Sequence, residues 1–189
     1  MKKFFLAAMM MVATLGANAQ NEVGQITLAP TAGVNMSKLT GDGQKFAFGW
    51  EVGVNAEYGV AESFGVSLGA FFKNWGSKPD VDGAKKTQMN YLAIPVLANF
   101  YAAKGFAIKA GVQPAFLLSA KNDGVDIKDG CKTFGLTIPV GLSYEISNVV
   151  IDARYNFGLT KTAKAYEGAE VKGTKNSVIE LTVGYKFAL

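Results

Sequence analysis

The sequence predicts an all-β fold, an eight-stranded antiparallel up-and-down barrel, and three observations carry that prediction. Apolar residues recur at every second position over stretches of about ten residues, eight such stretches occur, and the segments joining them are alternately short and long. Alternation with period two marks a strand with two unlike faces. An even number of strands with short turns on one side and long loops on the other belongs to membrane barrels of this kind.

The first residues are set aside before any strand is placed. Lys2 and Lys3 precede an apolar run over 4–15, and Ala17-Asn18-Ala19 supplies the small residues of a cleavage site. This is the pattern of a secretory signal peptide, and the run is shorter than the roughly 20 residues that a spanning helix needs. We therefore expect residues 1–19 to be a cleaved leader and residues 20–189 to form one barrel domain. Two of the four net positive charges belong to Lys2 and Lys3, and no basic cluster points to nucleic acid. Cys131 is the only cysteine, so no internal disulfide supports an exported fold.

The eight predicted strands cover 26–36, 46–58, 64–72, 92–100, 106–116, 134–144, 149–157 and 179–187. In the second, Phe46, Phe48, Trp50, Val52, Val54, Ala56 and Tyr58 share one face, against Ala47, Gly49, Glu51, Gly53, Asn55 and Glu57. Short turns are predicted at 59–63, 102–105 and 146–148, and longer polar loops at 38–45, 76–88, 121–133 and 160–175. Pro30, Pro95, Pro114 and Pro139 lie inside predicted strands. A closed barrel has no free edge to hold them, so bulges or irregular pairing are expected there.

Alternation does not say which face is buried, and a soluble lipocalin-type binder also has eight strands, with its apolar face inward. Three features favour an apolar face turned outward to lipid. The polar face is mostly Gly, Ala, Ser, Thr and Asn with few charges, whereas a solvated exterior is richer in Lys and Glu. Glycines crowd onto that same face, and an eight-stranded barrel has an interior only just wide enough for side chains. Finally, aromatics gather at both ends of the apolar face. Tyr58, Phe64, Phe100, Phe106, Tyr144, Tyr185 and Phe187 fall near the short turns, and Phe48, Trp50, Phe72, Phe116, Phe134 and Phe157 near the long loops. Two such girdles match the two membrane interfaces. A transmembrane barrel in the bacterial outer membrane follows, with short periplasmic turns and longer extracellular loops.

Six charged residues fall on the inward face away from the strand ends: Glu51, Lys73, Lys109, Asp152, Arg154 and Glu180. An isolated charge in so narrow an interior carries a penalty of several kcal/mol, so a mutually paired lumen network is expected. Pairing Glu57 with Gly65 across the first short turn places Gly49 opposite Lys73 and Glu51 diagonal to it, and Arg154 is expected to meet Glu180.

Certain stretches resemble the PorT-like outer-membrane β-barrel family of Gram-negative bacteria. They are Tyr91-Leu92-Ala93-Ile94-Pro95-Val96-Leu97, Asp152-Ala153-Arg154-Tyr155-Asn156-Phe157-Gly158-Leu159-Thr160, Val183-Gly184-Tyr185-Lys186-Phe187, and the second strand from Gly49 through Tyr58. The resemblance spans the mature chain and implies location and fold, with a proline tolerated in the fourth strand. It departs at Ala188-Leu189, where such chains often stop at Phe. Some members of that family belong to a protein-secretion apparatus, so the resemblance leaves activity open.

Enzymatic chemistry is not expected. Gly65-Val66-Ser67-Leu68-Gly69 matches the spacing of a nucleophile elbow, but that motif needs a strand-to-helix turn and a base. Here it lies in an alternating strand of a chain with no histidine. Asp123, Asp126 and Asp129, and likewise Asp80 and Asp82, lack the spacing and terminal Glu of a calcium loop. No metal or cofactor is therefore expected. The expected partners are outer-membrane lipid, lipopolysaccharide facing a slight basic excess in the long loops, the barrel-assembly machinery during biogenesis, and a protein at the loops or periplasmic turns. The leading expectation is a structural or anchoring protein, possessing some accessory role in envelope assembly or secretion. A narrow pore is the alternative, although water channels generally need about 16 strands.

Overall fold

The computed structural model describes residues 23–40, 44–79, 87–162 and 175–189. The expected leader, Asp80 and Asp82 lie outside the described residues. The alternating segments form β1 (Ile26–Leu39), β2 (Gln44–Ala61), β3 (Phe64–Pro79), β4 (Thr87–Ala93), β5 (Val96–Ala103) and β6 (Phe106–Asn122). After these come β7 (Val125–Asp126), a 3-10 turn (Lys128–Gly130), β8 (Phe134–Ile146), β9 (Val149–Lys161), β10 (Lys175–Tyr185) and β11 (Phe187–Ala188). β4 with β5, and β10 with β11, are the two segments of one barrel strand each. Every strand of the ring pairs antiparallel with its chain neighbours, and β10 and β11 close it on β1. Closure satisfies the backbone donors and acceptors that an edge would leave bare in hydrocarbon.

The short turns are tight, at Glu62–Ser63, Lys104–Gly105 and Ser147–Asn148. At the other end the strands run further than apolar alternation indicates. β3 reaches Pro79 and pairs with β4 from Thr87, inside the segment read as the loop 76–88. Hairpin hydrogen bonding needs no apolar face once the strand leaves the membrane, so polar composition understated strand length there. In the third long loop Asp123 and Gly124 both have positive φ, 52° and 82°. This is the two-residue turn chemistry of Asp-Gly, and it folds β7 back onto the end of β6.

Each of the four prolines inside the predicted strands sits where a ladder is interrupted. Pro30 lies opposite the break between β10 and β11, where the Thr31 hydroxyl donates to Ala29 O at 2.9 Å. Pro95 falls in the gap between β4 and β5, and Pro114 is opposite that same gap. Their carbonyls still accept, from Gly69 N at 2.9 Å and from Ile94 N at 2.8 Å. Pro139 faces Gly111, where the β6–β8 ladder skips two residues. Two prolines therefore share one interruption, which limits the number of missing donors inside lipid.

The apolar face points outward. Val34, Trp50, Val52, Val54, Leu68, Val96, Leu142, Leu181 and Val183 are all exposed, while Ser67, Asn99, Thr137 and Thr182 are buried inside. A lipocalin-type barrel would have these faces reversed. Glycine is needed where inward side chains lie across a neighbouring strand: a Cβ on Gly53 would stand 2.7 Å from Phe71 Cδ1.

Candidate functional site

The interior is the part of the molecule with chemistry in it, and it is filled in three tiers. At the middle, the register places Glu51 directly opposite Lys73 and Glu180 directly opposite Arg154. The first of these corrects the expected diagonal. β2 continues to Ala61 before turning, so Glu57 pairs with Ser67 and Gly59 with Gly65, a shift of two residues. Lys73 Nζ lies 3.3 Å from Glu51 Oε2 and 2.7 Å from Glu180 Oε1. Arg154 Nε stands 3.9 Å from Glu180 Oε2 and 2.7 Å from Asp152 Oδ1, and Lys109 Nζ is 3.0 Å from Asp152 Oδ2. All six inward charges named from the sequence thus form one chain of alternating sign, Glu51–Lys73–Glu180–Arg154–Asp152–Lys109, with no net charge. Phe71 supports it, its ring centroid 5.2 Å from Lys73 Nζ and 5.8 Å from the Arg154 guanidinium carbon. Gly141 lies between Lys109 and Arg154 in the register, and a Cβ there would come within 2.5 Å of Arg154 Cγ.

Toward the short turns lies a second polar group that strand-by-strand reading missed. Lys186 Nζ is 2.6 Å from Glu145 Oε1 and 3.6 Å from Glu57 Oε2. The Tyr101 hydroxyl stands 2.6 Å from Glu57 Oε1 and 3.0 Å from Glu145 Oε1. These residues are inward by parity but lie near strand ends, where a sequence gives no reason to prefer lumen over water. A cavity of about 30 Å³, with Glu57, Phe71, Leu97, Asp152 and Lys186 among its walls, separates the two polar tiers. A space of that size admits water and no solute.

Toward the long loops the lumen is closed by apolar side chains. Trp75, Met89, Tyr91, Leu117 and Val178 pack together, with Leu39, Ile127 and Cys131 against them. Trp75 and Tyr91 lie 4.8 Å apart between ring centroids. Ile127 is carried there by the third long loop, tied down through Ile127 N to Ala120 O at 3.0 Å and Leu117 N to Thr133 O at 2.7 Å. The signal was present in the odd-numbered positions of β3, which run Gly65, Ser67, Gly69, Phe71, Lys73, Trp75, but Trp75 sat beside a segment read as loop.

Both aromatic rings are where the parity puts them, with one departure. Tyr58, Phe100 and Tyr144 are exposed at the short-turn end, and Phe64, Phe106 and Tyr185 half-buried. At the other end Phe48 is 67% and Trp50 51% exposed, Phe116, Phe134 and Phe157 are exposed, and Phe72 stacks on Trp50 at 5.4 Å. Phe187 is only 8% exposed. It packs against Tyr185 at the end of β10, with ring centroids 4.8 Å apart. Ser67, the centre of the apparent nucleophile elbow, is buried inside β3 between Glu57 and Leu97. Asp126 accepts from Lys128 N at 2.8 Å, which stabilises the loop turn.

A family model described as outer membrane protein beta-barrel domain matches residues 5–187. The chain belongs to that family. It is an outer-membrane β-barrel, and its outward apolar face meets outer-membrane lipid. No curated protein matches it. Among solved structures it is similar to Ail, the attachment invasion locus protein of Yersinia pestis, at 17% identity over 88% of this chain and 100% of that one, with a TM-score of 0.53. Neisserial surface protein A is similar at 16% identity over 85% of this chain and 96% of that one, TM-score 0.55. At such identities the likeness is one of fold.

Proposed function

We propose that this barrel is a non-conducting, non-catalytic anchor that presents its loops or periplasmic turns to another component of the envelope. The observation that carries the reading is the ion-paired chain from Glu51 to Lys109, set across the lumen between an apolar mouth and a charged base. An interior closed by side chains leaves the ends of the barrel as the surfaces that act. The resemblance to PorT-like barrels favours a partner in envelope assembly or secretion, and the basic excess of the loops favours lipopolysaccharide beside it. Planar-bilayer recording on the folded protein should show no sustained, well-defined channels. Their appearance would overturn the closed-lumen reading in favour of a narrow pore. Co-purification from native outer membranes should recover a defined envelope protein, and its failure with conductance also absent would leave the barrel a purely structural element.

A further inference from the structure

The third long loop lies over the apolar mouth and is held there by little. Residues 121–126 are all exposed, and the 3-10 turn at 128–130 buries none of its side chains. Among the described residues, Ile127 and Cys131 are the side chains of this loop that pack against the cluster around Trp75, and both stay partly exposed. The backbone is tied at the ends of the loop, by the β6–β7 pairs on one side and by Lys132 N to Thr162 O at 2.8 Å on the other. Between those ties nothing lies within 4 Å of a Cβ added at Gly124 or Gly130. A segment with few buried apolar contacts and exposed hydrogen bonds opens at a lower cost than the paired strands below it.

The surface under the loop is not merely apolar. Trp75 is 1% exposed, and its indole Nε1–H has no acceptor among the described residues. A buried Trp N–H usually finds a partner, and leaving a buried donor unmatched is costly. Its neighbour Tyr91 does find one, donating to Met89 Sδ at 3.5 Å. The mouth thus combines an apolar wall, an aromatic pair and one unmatched donor. Sites for small ligands have that composition, apolar and aromatic walls with a few placed polar groups. Ile127 fills the apolar part when the loop is down, but its side chain has no acceptor to offer the indole. A charged molecule would be desolvated there with no counter-charge in the cluster. An apolar molecule with a single acceptor matches both the wall and the donor.

We propose that the third long loop is a movable cap over a ligand site in the mouth of the barrel, and that the site takes a small apolar molecule carrying one hydrogen-bond acceptor. The acceptor meets Trp75 Nε1, and the apolar part takes the place of Ile127. Binding holds the loop away from the mouth, so the surface presented at the long-loop end changes with the ligand. The inference goes beyond the anchoring reading and does not rest on it, because the ion-paired chain closes the lumen below the site in either position of the cap.

The test uses the full folded chain in phosphatidylcholine nanodiscs, with 2-decanone and decane as probes at matched concentrations in the bilayer. Cys131 is the only cysteine, so its rate of modification by a water-soluble maleimide reads how often the cap is lifted. 2-Decanone should raise that rate. Decane should need about tenfold more to raise it as far, the cost of leaving one buried donor unpaired. Of the two tryptophans, Trp50 is removed as Trp50→Phe, and the emission of Trp75 should then shift to the red with the ketone and not with the alkane. Trp75→Phe keeps the aromatic fill and loses the donor, so the two probes should act on its labelling rate at equal concentrations. Ile127→Ser removes the apolar side chain that occupies the site when the cap is down, and labelling should quicken by roughly tenfold with no probe present. Equal potency of ketone and alkane on the parent chain would overturn the proposal, as would a labelling rate that neither probe alters. That comparison stands should Trp75→Phe fail to fold. Channels in planar-bilayer recording would overturn the closed lumen and leave the labelling results unchanged, so the two readings fail separately.

Discussion

At the mouth of the lumen Trp75 and Tyr91 pack with Met89, Leu117 and Val178, and no charge lies among them. A few residues deeper on the same strand, Lys73 stands between Glu51 and Glu180, the start of six charges joined end to end. Both regions close the same narrow space, but they specify it differently. Apolar packing asks mainly for volume, and neighbours relax partly into any gap. A buried charge asks for one particular partner, because losing the partner leaves the other charge stranded at several kcal/mol. The mouth can therefore change sequence while keeping its fill, and the middle cannot change one member alone.

The sharpest way to break that contrast is Lys73→Ala. It leaves two carboxylates facing each other in the barrel interior, and the cost should be about 5 kcal/mol, the upper end for breaking a buried pair. Urea titration of the folded protein in lipid vesicles measures it. Because Glu51 and Lys73 are directly opposite, the Glu51→Ala, Lys73→Ala double variant should lose less than the two single losses added, by about 0.5–3 kcal/mol. Strict additivity would show that the chain is not a coupled unit.

Trp75→Ala tests the other region and should cost about 4 kcal/mol through lost transfer energy and the cavity left behind. Here neighbours should couple weakly, so a Trp75→Ala, Lys73→Ala pair should be closer to additive than the pair within the chain. Strong coupling between the two tiers would mean that the apolar mouth holds the charges in place, and the distinction between them would fall.

Why one region was legible and the other was not follows from how each announces itself. Glu51, Lys73, Lys109, Asp152, Arg154 and Glu180 are charges at inward parity in mid-strand, and only a paired lumen accounts for that. The eight-strand ring was legible for the same reason, since a strict period of two over the chain leaves no other element type. Trp75, Met89 and Tyr91 are apolar residues at inward parity next to polar loop composition, and nothing local says that pairing continues past them. The group of Glu57, Tyr101, Glu145 and Lys186 depends on which strands become neighbours in three dimensions, and a two-residue register slip across the first turn was enough to misplace Glu57. The prolines were visible as conflicts, but the sharing of one gap by Pro95 and Pro114 needs the β4–β6 register.

Inside and outside can be compared by a single charge. Val54 is 42% exposed at mid-strand on the lipid face. Val54→Arg should cost about 3 kcal/mol, within the range for Arg near the bilayer midplane, and Ile138→Arg should behave alike. Ser67→Ala, on the inward face, should change stability by less than about 0.5 kcal/mol, as substitutions away from packed or paired features do. Equal losses at Val54 and Ser67 would contradict the outward orientation of the apolar face.

A loss smaller than that at Lys73 or Val54 separates the base of the lumen from its middle. Glu57 and Glu145 share one cation, Lys186, and one hydroxyl, that of Tyr101. A phenol carries one proton, so it donates to one carboxylate at a time. Lys186 Nζ in turn lies 3.3 Å from the Tyr101 oxygen. Tyr101→Phe keeps the ring and the contacts of Lys186 with both carboxylates, while removing the hydrogen bond donated to a carboxylate and the longer one accepted from Lys186, together worth about 1.5–3 kcal/mol. No charge is stranded by the change, so the loss should be well under that of Lys73→Ala. Equilibrium unfolding of the two variants side by side gives the ratio. A loss at Tyr101 approaching that at Lys73 would mean that the hydroxyl, and not the ammonium group of Lys186, holds the two carboxylates together, and the base would then be as partner-specific as the middle.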